Sequence, residues 1–257
     1  MSTSKLPQSH DQEGAVRVRD LLLNALTVSS GAVDAISFVA LGKVFTAFMT
    51  GNIAFLGLRV AHAIPAPGIV AILTSMVCFA VGVYLSTRIV RPSKDDSGLW
   101  SPRVTAALGV SLIPHAVFPA LWLATNAHPS VDVTYVLLGL WALAMGMQSA
   151  AVRRLHVEGV FTTAATATII FLAGDLTNWS ATAAERRRLT GVLLSLLIGA
   201  TAGGVLLVQA PLYAPVLPFV LTVGVVATAA IVLRERGATD DREVRSASSP
   251  RSVVGES

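Results

Sequence analysis

Apolar segments close to the length of a membrane span recur along almost the whole chain. Seven of them can be delimited directly, at 21–41, 44–61, 69–90, 104–124, 133–152, 189–208 and 216–233. An eighth, at 160–174, is threaded with threonines. Because about 20 apolar residues cross the hydrocarbon core of a bilayer, this pattern leaves no room for a separate soluble domain. We predict an all-α polytopic membrane protein with one membrane domain at 20–235.

The composition agrees with this class and excludes several functions. The chain is 53% hydrophobic and 13% charged, whereas soluble domains carry about 25% charged residues. The single cysteine, Cys78, excludes an intramolecular disulfide and a cysteine-based metal cluster. The net charge of +4 comes from basic residues in short loops between apolar segments, so topology explains it better than nucleic-acid binding. We expect membrane lipids as partners, and no metal, cofactor or nucleic acid.

The chain contains an internal repeat. A shift of 116 residues places VFTAFMTGNIAFL (44–56) over VFTTAATATIIFL (160–172), with identity at seven of thirteen positions. A one-residue gap upstream aligns GAVDA (31–35) with GMQSA (146–150). A repeat of half the membrane domain is typical of transporter folds. We predict repeat 1 at about 20–125 and repeat 2 at about 132–235.

The positions of Lys and Arg predict the topology, since basic residues accumulate in cytoplasmic loops. Of 19 such residues, three precede 21–41, four lie at 88–103, two at 153–154, three at 186–188 and five after 233. If every apolar segment crossed, the basic loop at 88–103 would lie opposite the N-terminus. Six spans with two re-entrant or broken segments, 44–61 and 160–174, put 17 of the 19 charges on one side. The two repeats are then inverted, and the two re-entrant segments enter from opposite faces.

The same topology assigns both ends of the chain to the cytoplasm. We expect residues 1–19 to form a cytoplasmic tail and residues 236–257 to form a disordered cytoplasmic tail. No A-x-A-like cleavage site follows the first apolar segment, so we expect a retained span rather than a signal peptide. Only Lys43 and Arg59 fall on the predicted outer side.

Polar residues at the centres of the two re-entrant segments are the first candidates for a pathway. Gly51 and Asn52 are poor helix-interior residues and favour a break there. Threonines four apart share one helix face; such pairs recur in both copies as Thr46 with Thr50 and Thr162 with Thr166. The alternative is that these threonines bond to their own helix or to neighbouring helices.

Asp34 is the only acidic residue well inside a predicted span. A carboxylate at that depth costs at least about 2.5 kcal/mol, so we expect it to face the bundle interior. Two interpretations are open: an ion- or proton-coupled site, and a structural hydrogen bond to a broken helix. The matching position in the second repeat is Ser149, beside Gln148, so any coupling charge comes from one repeat only.

Two further features in the spans have structural interpretations. His115, between Pro114 and Pro119, is interpreted as satisfying a carbonyl that a proline frees, with proton relay as the alternative. Gly199 and Gly203 form a G-x-x-x-G pattern, which allows close helix packing within the fold or between subunits.

The stretch GAVDAISFVALGKVFTAFMTGNIAFLGL (31–58) resembles the YoaK family, bacterial membrane proteins of unknown function. The resemblance is weaker in GLWALAMGMQSAAVRRL (139–155). It implies a bacterial cytoplasmic (inner) membrane protein and supplies no substrate or reaction. Family members usually keep the tripeptide T-G-N, present here at 50–52; the second copy reads T-A-T at 166–168.

Together these features predict a small-solute or ion transporter or channel, with its pathway between the two re-entrant segments. The alternative is a non-transporting membrane module that organises protein or lipid partners. Homo-oligomer formation is compatible with both. We do not expect an enzyme, because the spans show no Ser/His/Asp set, metal-ligand spacing or phosphate loop.

Overall fold

The computed structural model describes residues 10–63, 67–91, 99–155, 157, 169–170, 173–174 and 183–233, and within these ranges it contains helices and no strand. The helices are α1 (His10–Ala40), α2 (Met49–Val60), α3 (Ile69–Ile89), α4 (Pro102–Ala124), α5 (Val131–Arg153), α6 (Ala183–Gln209) and α7 (Val216–Thr228). A 3₁₀ turn at Pro211–Tyr213 precedes α7, and a π-helical turn at Ala229–Leu233 extends it. The predicted all-α class is confirmed.

Six of the described helical segments are long and apolar enough to cross a membrane: Gly14–Ala40, Ile69–Ile89, Pro102–Ala124, Val131–Arg153, Glu185–Gln209 and Pro211–Val232. They coincide with the six predicted spans. The helix α2 has only 12 residues, or about 18 Å at 1.5 Å per residue. It is too short to cross a hydrocarbon core of about 30 Å.

A buried apolar cluster occupies one end of the bundle. It joins the middle of α1 and the first turns of α4 and α6 to the last turns of α3, α5 and α7. We call this the basic end, because every arginine of the described spans and their flanks lies near it, from Arg17 to Arg188, whereas Arg59 lies on α2. The cluster consists of Leu22, Leu23, Leu26, Val90, Trp100, Val104, Ala107, Leu108, Ala151, Val152, Leu189, Val192, Val225 and Ala229.

A second buried apolar cluster occupies the opposite end, which we call the far end. It joins the last turns of α1 and α4 to the first turns of α3 and α5 and to the turn before α7. The cluster consists of Val33, Ile36, Leu41, Val44, Ala47, Ala71, Ile72, Phe118, Trp122, Leu137, Leu138, Trp141, Met145 and Ala214.

The two clusters fix the direction of each span. The helix α1 ends and α3 begins at the far end, so the connection that contains α2 leaves and rejoins the bundle on one side. Likewise α5 ends and α6 begins at the basic end. Since α1 starts at the basic end and α5 at the far end, the two repeats are inverted, as predicted. Most of the second re-entrant segment, 160–174, lies outside the described residues.

The helix contacts follow a pseudo-two-fold pattern. The most extensive pairs are α1 with α6 and α3 with α5; next come α4 with α5 and α1 with α7. The pattern is unchanged when each helix is exchanged for its counterpart in the other repeat, that is, α1 for α5, α3 for α6 and α4 for α7. The helices α4 and α7 also contact each other, as expected for elements near the symmetry axis.

Glycines allow the backbones of α1 and α6 to contact each other where the two helices cross. A Cβ on Gly31 would clash with the carbonyl oxygen of Leu196, and one on Gly199 with that of Val28. A Cβ on Gly203 would meet the α1 backbone at 2.8 Å. The G-x-x-x-G pattern therefore packs within the fold, one of the two alternatives that the sequence left open.

The α3–α5 pair crosses in the same way. A Cβ on Gly146 would clash with the carbonyl oxygen of Phe79, and one on Gly82 with that of Leu143. In both crossings, the carbonyl oxygen that the added Cβ would meet belongs to the residue three positions before the glycine of the opposite helix. Gly146 is also the residue that the sequence repeat aligns with Gly31, so the internal repeat and the packing agree.

Candidate functional site

The first re-entrant segment starts with a left-handed turn. After α1 ends at Ala40, Gly42 has φ +94° and Lys43 has φ +66°. Such a pair terminates a helix, and glycine adopts this conformation without steric cost. Residues 44–48 are irregular, and α2 begins only at Met49. The prediction of a break at Gly51–Asn52 is therefore wrong: these residues lie in the first turn of α2, downstream of the break.

Asp34 fixes the irregular stretch to α1. Its Oδ1 atom accepts hydrogen bonds from the backbone N–H groups of Thr46 (2.9 Å) and Ala47 (2.8 Å). These N–H groups have no helical partner at the break, so the carboxylate supplies one. A hydrogen bond to a charged group contributes about 1.5–3 kcal/mol. The structural interpretation of Asp34 is thus observed directly in its contacts.

Asn52 binds the same stretch from the other side. Its Oδ1 accepts from the backbone N–H of Phe45 (3.0 Å), and its Nδ2 donates to the Phe45 carbonyl (2.7 Å). The hydroxyl of Ser75 on α3 donates to that carbonyl at 2.6 Å and lies 3.3 Å from Nδ2. The amide side chain supplies both the acceptor and the donor that this pairing needs.

An aromatic cluster explains the glycine of the T-G-N tripeptide. The ring of Phe45 stacks on Phe38 (5.0 Å between centroids) and Phe55 (6.0 Å), and meets Phe48 edge-on (5.3 Å). A Cβ on Gly51 would lie 2.7 Å from the Phe48 ring and 2.9 Å from the Phe45 ring. Gly51 is therefore required by ring packing rather than by a backbone break.

The two threonines of this segment, Thr46 and Thr50, do not line one helix face. Thr46 is buried in the irregular stretch, whereas Thr50 is exposed on α2. The expectation that they share one helix face is wrong, because α2 begins three residues after Thr46. Their counterparts Thr162 and Thr166 lie outside the described residues. Of the predicted site residues in repeat 1, the structure brings together Asp34, Thr46 and Asn52.

The predicted residues of the second repeat lie on different sides of α5. Gln148 is fully buried, and its Nε2 donates to the backbone carbonyl of Leu26 on α1 at 3.2 Å. Ser149 is partly buried and donates to the Met145 carbonyl of its own helix at 2.7 Å. Gln148 therefore points into the bundle between the two repeats.

Fully buried polar side chains form a layer between the two apolar clusters. We call it the polar layer. Fully buried polar residues of five spans lie in the chain between residues of the basic-end cluster and residues of the far-end cluster. Those of α3 are Ser75 and Ser86; the members of the polar layer are the others that expose no surface, Ser29 and Ser30 on α1, Ser111 and His115 on α4, Gln148 on α5 and Thr222 on α7.

Part of the polar layer is satisfied by the protein itself. Ser29 lies 3.3 Å from Thr222 between hydroxyl oxygens, and both hydroxyls donate to the Pro218 carbonyl. Ser111 donates to the Leu108 carbonyl. The bond predicted for His115, to a carbonyl freed by a proline, is not formed: both ring nitrogens lack a partner among the described residues.

The sequence did not indicate this layer as a unit. Hydroxyl side chains in spans usually bond to their own helix, so Ser29, Ser30, Ser111 and Thr222 give no signal singly. The missing signal is position within the span: on α1, α4 and α7 a polar residue falls near the middle, whereas Gln148 lies five residues from the end of α5.

Comparisons with known proteins agree with this architecture. A family model described as "Protein of unknown function (DUF1275)" matches residues 22–229. The "UPF0700 transmembrane protein YoaK" of Bacillus subtilis (strain 168) is 33% identical over 164 residues, which cover 64% of this chain and 70% of that protein. No solved structure matches the chain.

Proposed function

The chain belongs to the membrane-protein family described as DUF1275, and we propose that it works as a transporter or channel for a small solute or ion, with no catalytic step. The inverted repeat is the main support. Transporters that alternate between two access states are commonly built from inverted repeats, with their substrate site near the bilayer midplane. On α1, α4 and α7, members of the polar layer lie near the middle of the span, which supports a site at that depth.

The matched glycine crossings carry the proposal. They join helices from different repeats into two close-packed pairs, α1 with α6 and α3 with α5. Direct contact between α1 and α5 is sparse, and α4 and α7 lie between the pairs. Two rigid pairs related by a pseudo-two-fold axis are suited to rocking against each other, which would open the layer to one side at a time.

In this proposal, the apolar clusters and the re-entrant segments close the two ends of the pathway. Each cluster seals one end of the polar layer with large buried side chains, such as Trp122 and Trp141 at the far end. At the far end, Asp34 and Asn52 also hold the segment 44–48 against the bundle. The second re-entrant segment belongs to a connection that leaves and rejoins at the basic end, so we place the pathway between the two.

The arginines suggest the orientation. We propose that the basic end, with both chain termini, faces the cytoplasm, since Lys and Arg accumulate there in bacterial membrane proteins. The Bacillus relative supports a bacterial cytoplasmic membrane as the location.

Flux through proteoliposomes of the wild type and Asp34→Asn tests the proposal. An amide at position 34 keeps an oxygen for the two backbone N–H groups, removes the charge and places an NH₂ group where the second oxygen was. We expect the wild type to raise the flux of at least one small solute or ion above that of protein-free liposomes. The variant should lower this flux about tenfold, since one charge-assisted interaction is worth about 1.5–3 kcal/mol.

The melting temperature of Asp34→Asn is the control, and it should stay within a few degrees of the wild type. Absence of flux for neutral solutes, Na⁺, K⁺ and protons would contradict transport. If Asp34→Asn then changes only the melting temperature, the alternative of a non-transporting module for protein or lipid partners is favoured.

A further inference from the structure

We propose that the polar layer is a binding site for a small uncharged solute that carries hydroxyl or amide groups. This inference rests on the proposed transport function and gives it a substrate class. It depends on the depth of the layer, on unpartnered polar atoms within it, and on the absence of charge among its described members.

The contact between α1 and α5 fixes the depth of Ser30 relative to Gln148 in the bundle. The amide of Gln148 donates to the Leu26 carbonyl. Ser30 lies one helical turn beyond Leu26 on the same face of α1, because residues four apart are neighbours on a helix. The Leu26 carbonyl points toward residue 30, and helical side chains lean toward the N-terminus, so the Ser30 hydroxyl lies within one turn of the Gln148 amide, on its far-end side.

The α4–α5 contact sets the register on the other side. The rings of Phe118 and Trp141 stack face to face, with centroids 3.5 Å apart. The two helices run in opposite directions, so a step of three residues toward the basic end leads from Phe118 to His115 and from Trp141 to residue 144. His115 is then about one turn from the level of Gln148, at the depth of Ser30.

These three side chains carry hydrogen-bonding atoms that the protein does not use. The Ser30 hydroxyl, both ring nitrogens of His115 and the Gln148 Oε1 are fully buried and have no partner among the described residues. Proteins leave few buried polar atoms unpaired, and each such atom needs an explanation. Other such oxygens occur singly outside the layer, on Asn24, Thr46 and Ser86.

The Gln148 side chain is held in position for a ligand. Its Nε2 is bound to the Leu26 carbonyl, so Oε1 is the free acceptor and requires an O–H or N–H donor. A neutral His115 offers one donor and one acceptor, and Ser30 offers both. The complementary solute carries at least one hydroxyl or amide donor and one acceptor oxygen.

The charge of the layer favours an uncharged solute. Its described members are serine, threonine, glutamine and histidine. The nearest carboxylate along α1, Asp34, lies one turn beyond Ser30, and its Oδ1 is bound to the backbone of 46 and 47. A bare ion transferred into such a place lacks a counter-charge and loses its hydration. An alcohol or amide loses far less.

Ligand-dependent thermal unfolding of the purified full-length protein tests the site. The probes are glycerol and acetamide, with acetate as the charged analogue of acetamide. Polyols stabilise all proteins by exclusion from their surface, so the measured quantity is the difference in melting-temperature shift between the wild type and each variant in the same solution. The variants are Gln148→Leu, His115→Phe and Ser30→Ala; Thr87→Val, exposed on α3, is the control.

We expect the concentration of glycerol or acetamide that gives half of the shift to rise about tenfold in each layer variant, since one hydrogen bond is worth about that factor. Thr87→Val should behave as the wild type. Ser30→Ala removes no hydrogen bond within the described protein, so it remains informative if Gln148→Leu does not fold.

Three outcomes would overturn the inference. They are equal shifts in the wild type and all layer variants, a layer-dependent shift with acetate but not with acetamide, and no shift in the wild type with either glycerol or acetamide beyond that of a protein-wide osmolyte effect shared by every variant. The acetate result would leave the proposed transport function intact. Layer-dependent binding of acetamide without flux in proteoliposomes would instead contradict the transport function and keep the site.

Discussion

The substitutions Gly199→Leu and Gly82→Leu are each expected to prevent the bundle from assembling, with an equal loss of stability in the two variants. Each glycine lies where a Cβ would clash with a backbone carbonyl, on Val28 and Leu143 respectively. A backbone cannot move aside as a side-chain tip does, so the whole crossing must separate. We expect a loss of at least about 3 kcal/mol in the free energy of unfolding, read as loss of monodisperse protein in size-exclusion chromatography and a lower melting temperature.

Gly204→Leu is the matched control, because it lies next to Gly203 on α6 and a Cβ there meets nothing within 4 Å. It should fold as the wild type or slightly better, since leucine favours helix over glycine. If Gly82→Leu folds normally while Gly199→Leu does not, the two crossings are not equivalent and the pseudo-two-fold description of the packing fails.

Asn52→Leu should release the irregular stretch of the first re-entrant segment. The change leaves the partly buried N–H of Phe45 without its acceptor and removes the bond from Nδ2 to the Phe45 carbonyl. Ser75 still donates to that carbonyl, so one of its two bonds remains. A buried unsatisfied donor with one lost hydrogen bond costs about 2–4 kcal/mol. Faster amide hydrogen exchange at 44–52 and a lower melting temperature are the expected results.

Thr50→Val is the control for that measurement, since Thr50 lies two residues from Asn52 but is exposed. It should leave the exchange rates at 44–48 unchanged. Equal exchange in Asn52→Leu and the wild type would show that the side-chain amide does not hold the segment.

The sequence was sufficient for the number and positions of the spans because membrane insertion is governed by one-dimensional quantities. Segment length, apolarity and the side on which Lys and Arg fall depend on position along the chain. These quantities predicted six spans and excluded 44–61 as a seventh, and the 12-residue α2 confirms this. The repeat alignment of Gly31 with Gly146 likewise anticipated equivalent helices.

The internal detail of the re-entrant segment was not predictable in the same way. The glycine and asparagine of T-G-N favour a break by propensity. In the structure, however, Gly51 is needed because a Cβ would collide with aromatic rings, and Asn52 hydrogen-bonds a residue seven positions earlier. The actual break follows Gly42 and Lys43, which have left-handed backbone. Helix propensity does not distinguish a residue that forms a turn from a residue whose side chain hydrogen-bonds to the turn.

The polar layer was missed for a related reason. Polar residues that are unusual in a span stand out in the sequence, as Asp34 and Gln148 do. Serine and threonine are ordinary in spans, and their importance arises from several helices placing them at one depth. His115 was noticed, but its partner was expected within its own helix.

The central claim is that two inverted repeats each contain a segment that does not cross the membrane, and cysteine accessibility tests it most directly. Four single-cysteine variants in a Cys78→Ser background, at Lys43, His62, Glu158 and Asp175, are treated with a membrane-impermeant maleimide. Intact cells should label positions 43 and 62, and inside-out vesicles should label 158 and 175. Labelling of 43 and 62 from opposite faces would show that the segment 44–61 crosses, and would contradict the inverted-repeat account.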